Sequence, residues 1–177
     1  MNASDRRGAE AVLRHLLVGR FVCGIQFYHA QPSLLVDDTD DEAAPVDGEV
    51  RLLIGVGTRW HLFDARPEAL PASEEELGEW SLAELARIAG LLQPHRIVSA
   101  SLAETVPHLL VGFESGHTLF VNGHHEQYEM WEVGATTGPD AFLVVACPDD
   151  EVAVWAPSGF PTRLHASSVS APPPPSS

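Results

Sequence analysis

The sequence predicts an α+β domain that is predominantly β, with antiparallel meander sheets, an N-terminal helix and one central helix. Three observations predict this class. Ten short apolar runs have the composition and alternation of strands, turn residues separate them, and only two segments have apolar residues at helical spacing. A chain of 177 residues can bury a core without disulfide or metal support. We therefore expect residues 1–160 to form a single globular domain.

The first helix is predicted over residues 4–17, behind a cap at Ser4 or Asp5. Its apolar residues recur at the spacing of one helical face and are Ala9, Val12, Leu13, Leu16 and Leu17. The first strand follows at residues 21–28, and strict alternation would place four residues on one face: Phe21, Cys23, Ile25 and Phe27.

The central helix is predicted to begin after Ser81, which forms a capping box with Glu84, and to end before Pro94. Its buried stripe is expected to comprise Leu82, Leu85, Ala86, Ala89 and Leu92. The remaining strands are expected at residues 33–36, 50–56, 60–63, 97–102, 109–113, 117–121, 128–133, 142–147 and 152–155.

A faint internal repeat relates the two halves of the chain. Residues 20–36 align with residues 96–111, since each segment opens with arginine, an apolar residue and valine, and each later contains Pro-x-Leu-Leu-Val. This similarity predicts two related half-sheets, with residues 37–49 as an insertion where the second half has the tight turn 114–116. Chance similarity between two β-meanders is the alternative.

Charge is the second strong feature of the sequence. The formal net charge is −15, and all ten cationic side chains are arginine. Residues 37–79 hold 13 acids against three arginines, so −10 of that charge lies there. Such a surface repels nucleic acid and anionic lipid and attracts a basic protein. Without an apolar signal segment or spanning stretch, the chain is expected to be cytoplasmic.

The acidic loop 37–49 and the residues after it are the predicted binding surface for that basic partner, with an aromatic anchor. The predicted partner-binding residues are Asp37, Asp38, Asp40, Asp41, Glu42, Glu74, Glu75, Glu76, Glu79 and Trp131. Alternation sends Tyr128 and Trp131 to opposite faces, so one of the two is expected to be exposed beside Glu126, Glu129 and Glu132. Residues 161–177, rich in proline and serine, are expected to be disordered.

Enzymatic function has weak support in the sequence. Neither cysteine nor any serine lies in a recognisable nucleophile motif, the absence of lysine excludes lysine chemistry, and no cofactor is predicted. The weak candidates for a metal or catalytic cluster are His117, His124, His125 and Glu126. Their spacing matches no standard zinc pattern, and adjacent histidines on a strand point to opposite faces, so no metal is predicted.

Several motifs resemble a family of small uncharacterised actinomycete proteins. They are LVGR at residues 17–20, GFESGHTLFV at 112–121, YEMWEV at 128–133 and LVVACPDDEVAVW at 143–155. That family has a Tyr-Glu-x-Trp-Glu strand and a Pro-Gly-Gly-Glu turn, and here Asp149 and Asp150 stand in place of the two glycines. The resemblance implies a compact β-rich fold and no catalytic residues.

Three functions are compatible with these features. The favoured one is a non-enzymatic interaction protein with an acidic surface, of which an immunity protein that neutralises a basic toxin is an example. The alternatives are a small-ligand or metal-binding protein or enzyme that uses the His/Glu cluster, and a structural subunit of a larger assembly. The sequence does not determine the oligomeric state.

Overall fold

Two antiparallel sheets and two helices form the fold in the computed structural model, which describes residues 1–28, 31–37, 50–55, 57–71, 74–77, 82–93, 95–135 and 141–160. The elements in chain order are α1 (Ala3–Leu17), β1 (Phe21–Tyr28), β2 (Gln31–Asp37), β3 (Val50–Ile54), β4 (Trp60–Phe63), α2 (Leu82–Leu92), β5 (Ile97–Leu102), β6 (Leu109–Phe113), β7 (Thr118–Val121), β8 (Trp131–Ala135), β9 (Leu143–Cys147) and β10 (Glu151–Trp155). The predicted class is confirmed. The tail 161–177 lies outside the described residues.

Helix α1 begins one residue earlier than its spacing predicts. Asn2 is the cap, because its side-chain oxygen accepts from the backbone N–H groups of Ser4 and Asp5 at 2.9 and 3.0 Å. The helix contacts β5 of one sheet and β8, β9 and β10 of the other. Its apolar face is completely buried between them and comprises Gly8, Ala9, Val12, Leu13, Leu16 and Leu17.

Helix α2 contacts β1 and contributes Ile88 and Leu92 to the core. Ala86, which the sequence predicted to be buried, is exposed, and Ile88 is buried instead. Leu82, Leu85 and Ala89 lie outside the side-chain description, as do Ser81 and Pro94.

The two halves of the chain have the same topology and exchange one strand. Each half consists of a helix, a three-stranded meander and a fourth strand. The fourth strand leaves the sheet of its own half and pairs with the third strand of the other half. The six-stranded sheet therefore has the order β1-β2-β3-β8-β9-β10, and the four-stranded sheet has the order β4-β7-β6-β5. Strands β9 and β10 extend only one of the two sheets.

The two exchanged strands, β4 and β8, begin in equivalent positions in the two sheets. Trp60 starts β4 opposite the last residue of β7, and Trp131 starts β8 opposite the last residue of β3. Both indoles are buried, at 5% and 2% exposure. The backbone N–H of Gly55 donates to Met130 at 2.7 Å, and the N–H of Asn122 donates to Arg59 at 2.9 Å in the matching position. A Cβ at Gly55 would lie 2.8 Å from the Met130 oxygen, so glycine is required at this crossing.

The sequence repeat identifies the right elements in a shifted register. Matching bulges at Cys23 and Val98 make Phe21 the counterpart of Arg96, and these two residues form the antiparallel bridge that joins the sheets. The sequence alignment paired Arg96 with Arg20, which is one residue before its structural counterpart Phe21. It also aligned β2 with β6 two residues away from the register that the structure shows. The bulge also corrects the predicted first strand, because Val22 is buried and Cys23 is exposed.

Candidate functional site

The outer face of the six-stranded sheet, which is the side turned away from α1, carries a groove. Strand register places Leu53 between Ser33 on one neighbouring strand and Glu132 on the other. The groove has a volume of about 490 Å³, and its lining includes Gln26, Ser33, Arg51, Leu53, Glu132 and Leu143. We call it the Glu132 groove. Its floor is apolar sheet surface, and its polar groups lie on the strands around that floor.

Glu132 is the unusual residue of this groove. It projects from a central strand, β8. No hydrogen bond or ion pair joins its carboxylate to another described residue. Burial, and after it the negative charge of Glu129, raise the pKa of Glu132 above the ordinary value. The ionised carboxylate is therefore partly desolvated and faces a like charge. A cation placed in the groove would relieve both effects.

A third carboxylate and a thiol lie on the same face. Glu151 pairs with Cys147 across β9 and β10. Burial, together with Glu129 and Glu151, raises the pKa of the Cys147 thiol, and a backbone hydrogen bond from Ala153 opposes that shift. The thiol is thus kept protonated and is a poor nucleophile. The chemistry of this face is that of an acidic surface with an apolar groove.

Trp131 does not belong to an exposed partner-binding surface, which corrects the prediction. Its side chain is 2% exposed, and the indole Nε1 donates to the Pro107 carbonyl at 2.9 Å. Strand β8 turns Trp131 into the core, so Glu132, the next residue, faces outwards. The exposed aromatic residue of the predicted pair is Tyr128, at 65% exposure, in the loop before β8.

The predicted acidic residues fall partly outside the description. Asp38, Asp40, Asp41, Glu42 and Glu79 lie outside the described residues, and the backbone alone is described at Asp37 and Glu74. Glu75 and Glu76 are exposed on the 3-10 turn Glu74–Leu77. That turn lies beside the four-stranded sheet, whereas the acidic loop joins β2 to β3, two strands that line the Glu132 groove.

The histidine candidates are spread apart. His117 and His124 flank the two ends of β7, whose four residues span about 13 Å of strand. The Nδ1 atom of His125 accepts from the backbone N–H groups of Gln127 and Tyr128 at 3.0 and 3.2 Å. Among residues whose placement is described, no three His, Cys, Asp or Glu side chains, Glu126 included, are arranged to hold a metal ion.

His124 instead forms a pair with Asp150, which sequence reasoning did not find. His124 Nδ1 lies 2.6 Å from Asp150 Oδ1, and Asp149 donates its backbone N–H to His125 at 3.2 Å. Asp149 and Asp150 both have left-handed backbone conformations, with φ of 59° and 60°. Aspartate adopts this conformation at a cost that glycine does not have. The contacts hold the turn between β9 and β10 against the segment after β7.

A histidine oriented by a carboxylate is also the geometry of a general base, although the enzyme alternative was predicted from the cluster of His and Glu residues and not from this pair. The His124 side chain is 55% exposed and the Asp150 side chain 32%. A base that works on a bound substrate is more often enclosed and shielded from water. The Glu132 groove is thus the better-formed site.

No described helix is long and apolar enough to cross a membrane. Comparison of the chain with protein-family models, with curated proteins and with solved structures found no match. The resemblance to the actinomycete family therefore stays a prediction.

Proposed function

We propose that the protein is a non-enzymatic interaction protein that binds a basic protein partner, and that the Glu132 groove receives a cationic side chain of that partner. The observation that carries the proposal is the half-buried carboxylate of Glu132, which has Glu129 as a neighbour and no cationic partner among the described residues. A buried or half-buried charge without a partner has a free-energy cost that an incoming cation removes. An immunity-type protein is one example of this class.

The surroundings of the groove support the same kind of partner. A net charge of −15 attracts a basic surface over long range, and Glu129 and Glu151 extend the negative charge along the outer face. Residues 38–49 of the acidic loop join the two strands that carry Ser33 and Arg51. Arg51, which also lines the groove, has an interaction of its own with another group of the chain.

The proposal retains a cytoplasmic location and the absence of nucleic-acid binding, because the acidic charge that favours a basic protein disfavours polyanions. It also explains why the apolar part of the groove matters. A cationic residue flanked by aliphatic residues would place its charge at Glu132 and its neighbours over Leu53 and Leu143.

The test uses the full chain, labelled with ¹⁵N, and an eight-residue synthetic peptide that alternates arginine and valine. We expect amide shifts to concentrate at Leu53, Glu132 and Leu143, and the affinity to fall as salt is raised. Glu132→Arg should raise Kd at least about tenfold, because it removes the pairing carboxylate and adds repulsion.

Glu68→Arg is the matched control. Glu68 is exposed in the segment beside the four-stranded sheet, and the substitution changes the net charge by the same amount. If both variants weaken binding equally, only overall charge acts and the proposed site is wrong. A peptide that alternates glutamate and valine should not bind, and comparable binding by that peptide would also contradict the proposal.

A further inference from the structure

Strand β10 forms one end of the six-stranded sheet. It pairs with β9 on one side, and no described residue pairs with the edge on its other side. An antiparallel edge strand presents alternate N–H and C=O groups outwards and can accept another strand. Trp155, on the outer face of this strand, is 53% exposed.

The sequence of β10 complements itself. The strand reads Glu-Val-Ala-Val-Trp from Glu151 to Trp155. If a second copy pairs antiparallel about Ala153, each alanine opposes an alanine and each Val152 opposes a Val154. Each Glu151 then opposes a Trp155, so no carboxylate lies opposite another carboxylate.

A groove adjoins this edge on the inner side of the sheet. Its volume is about 610 Å³, and it lies between β10 and the first two turns of α1. Its lining includes Ser4, Gly8, Val152, Val154 and Phe160. Side chains at alternate positions of an added strand point to this side, and in a second copy they are valines.

The charge near this edge is also compatible with a second copy. The first 20 residues contain four arginines and two acids, for a net charge of +2 in a chain whose net charge is −15. Asp149, Asp150 and Glu151, at the start of β10, add three negative charges, so the local net charge is −1. Two copies thus meet less repulsion here than the net charge of −15 would give over the whole chain, and a strongly basic peptide would gain little.

We propose that the protein forms a two-fold dimer by antiparallel pairing of β10 with β10 of a second copy, centred on Ala153. The two six-stranded sheets then become one continuous sheet of twelve strands. Because the two-fold axis is perpendicular to the sheet, both outer faces lie on the same side. The dimer does not depend on the proposed function, and it would present two Glu132 grooves to one partner.

Light scattering after size-exclusion chromatography of the full chain tests the dimer. We expect twice the 19.1 kDa mass of one chain at about 100 μM. Ala153→Glu places two carboxylates opposite each other and should return the mass to that of one chain. Ala86→Glu, which adds the same charge at an exposed position of α2, should leave the mass doubled.

Cross-linking tests the register independently. In Ala153→Cys the two new thiols are opposed at a distance that permits a disulfide, whereas in Glu151→Cys they are about 13 Å apart. A covalent dimer should form in the first variant alone.

Raising NaCl from 50 to 500 mM should increase the dimer population, the opposite of its effect on the basic peptide. Three outcomes would each overturn the proposal. The unsubstituted protein could have the mass of one chain, Ala153→Glu could leave a doubled mass unchanged, or the two cysteine variants could cross-link equally.

Discussion

The outer faces of the two sheets are counterparts in topology and differ in what covers them. On the four-stranded sheet, Leu110 and Phe120 are buried beneath Leu77 of the segment that follows β4, and they form a separate hydrophobic cluster. On the six-stranded sheet, Leu53 and Leu143 belong to neither hydrophobic cluster, and they line the Glu132 groove.

This difference arises from what the chain does after each exchanged strand. After β4 it turns back over the outer face of its sheet, and after β8 it continues into β9 and β10, which widen the sheet. The same architecture thus uses one outer face for stability and leaves the other lined by a half-buried carboxylate. If this is correct, substitutions on the covered face should affect folding, and substitutions on the grooved face should affect binding.

The largest expected difference is between Phe120→Ala and Leu53→Ala. Phe120 is 1% exposed and contacts Phe63 at a ring separation of 6.4 Å. Its truncation should lower the free energy of unfolding by about 3–5 kcal/mol, whereas truncation of half-buried Leu53 should cost less than about 1 kcal/mol. Urea denaturation at pH 7 measures both. Similar losses would show that the two faces are equally packed.

Leu77→Ala tests the covering segment itself. Leu77 is 3% exposed on the 3-10 turn, and its loss should cost about 2–3 kcal/mol and increase amide hydrogen exchange in β7. Leu70→Ala, at a partly buried position of the same segment, is the matched control and should cost less. Unchanged exchange in β7 would mean that the segment does not protect the sheet.

Local patterns in the sequence predict nearly all the elements. Each of the ten predicted strands overlaps an observed one, because those signals are carried within a few residues, although β8 begins three residues later than predicted and β3 ends two residues earlier. The pairing of β3 with β8 and of β4 with β7 joins distant segments, so local patterns do not reveal it. The sequence repeat indicates two related halves, although the bulges shift its register, since a bulge adds a residue without changing composition.

The candidate site is predictable to a smaller extent. Glu132 is one of the acids that the sequence places beside an exposed aromatic residue, but the pattern does not show that Trp131 is the inward residue of the two. Glu132 lies between Leu53 and Val145 on the adjacent strands, and this placement depends on tertiary pairing. Asp150 next to His124 depends likewise on a contact between segments 26 residues apart.

Glu132→Gln should raise the free energy of unfolding at pH 7, whereas the core substitutions lower it, and the change should be smaller than theirs. Because the folded state raises the pKa of Glu132, it binds more protons than the unfolded state, and stability falls as pH rises from the ordinary value of 4.5 through the raised one. The variant should be more stable than the parent at pH 7, by less than about 1 kcal/mol, with no such gain at pH 4. Thermal unfolding at both values measures this, and a destabilised variant at pH 7 would indicate a cationic partner within the chain.

The smallest effect concerns the pKa of Glu132 in Glu129→Gln. Removal of the Glu129 charge should lower the pKa of Glu132, and burial, which is the larger cause, should keep it above 4.5. Titration of the Glu132 side chain by NMR measures the change, with Glu68→Gln as a control on the other face. Because like-charge repulsion is screened by salt and desolvation is not, the difference between parent and Glu129→Gln should shrink at 500 mM NaCl while the remaining elevation persists. A pKa that returns to 4.5 on removal of Glu129 alone would mean that repulsion dominates, and that the groove holds Glu132 in contact with water.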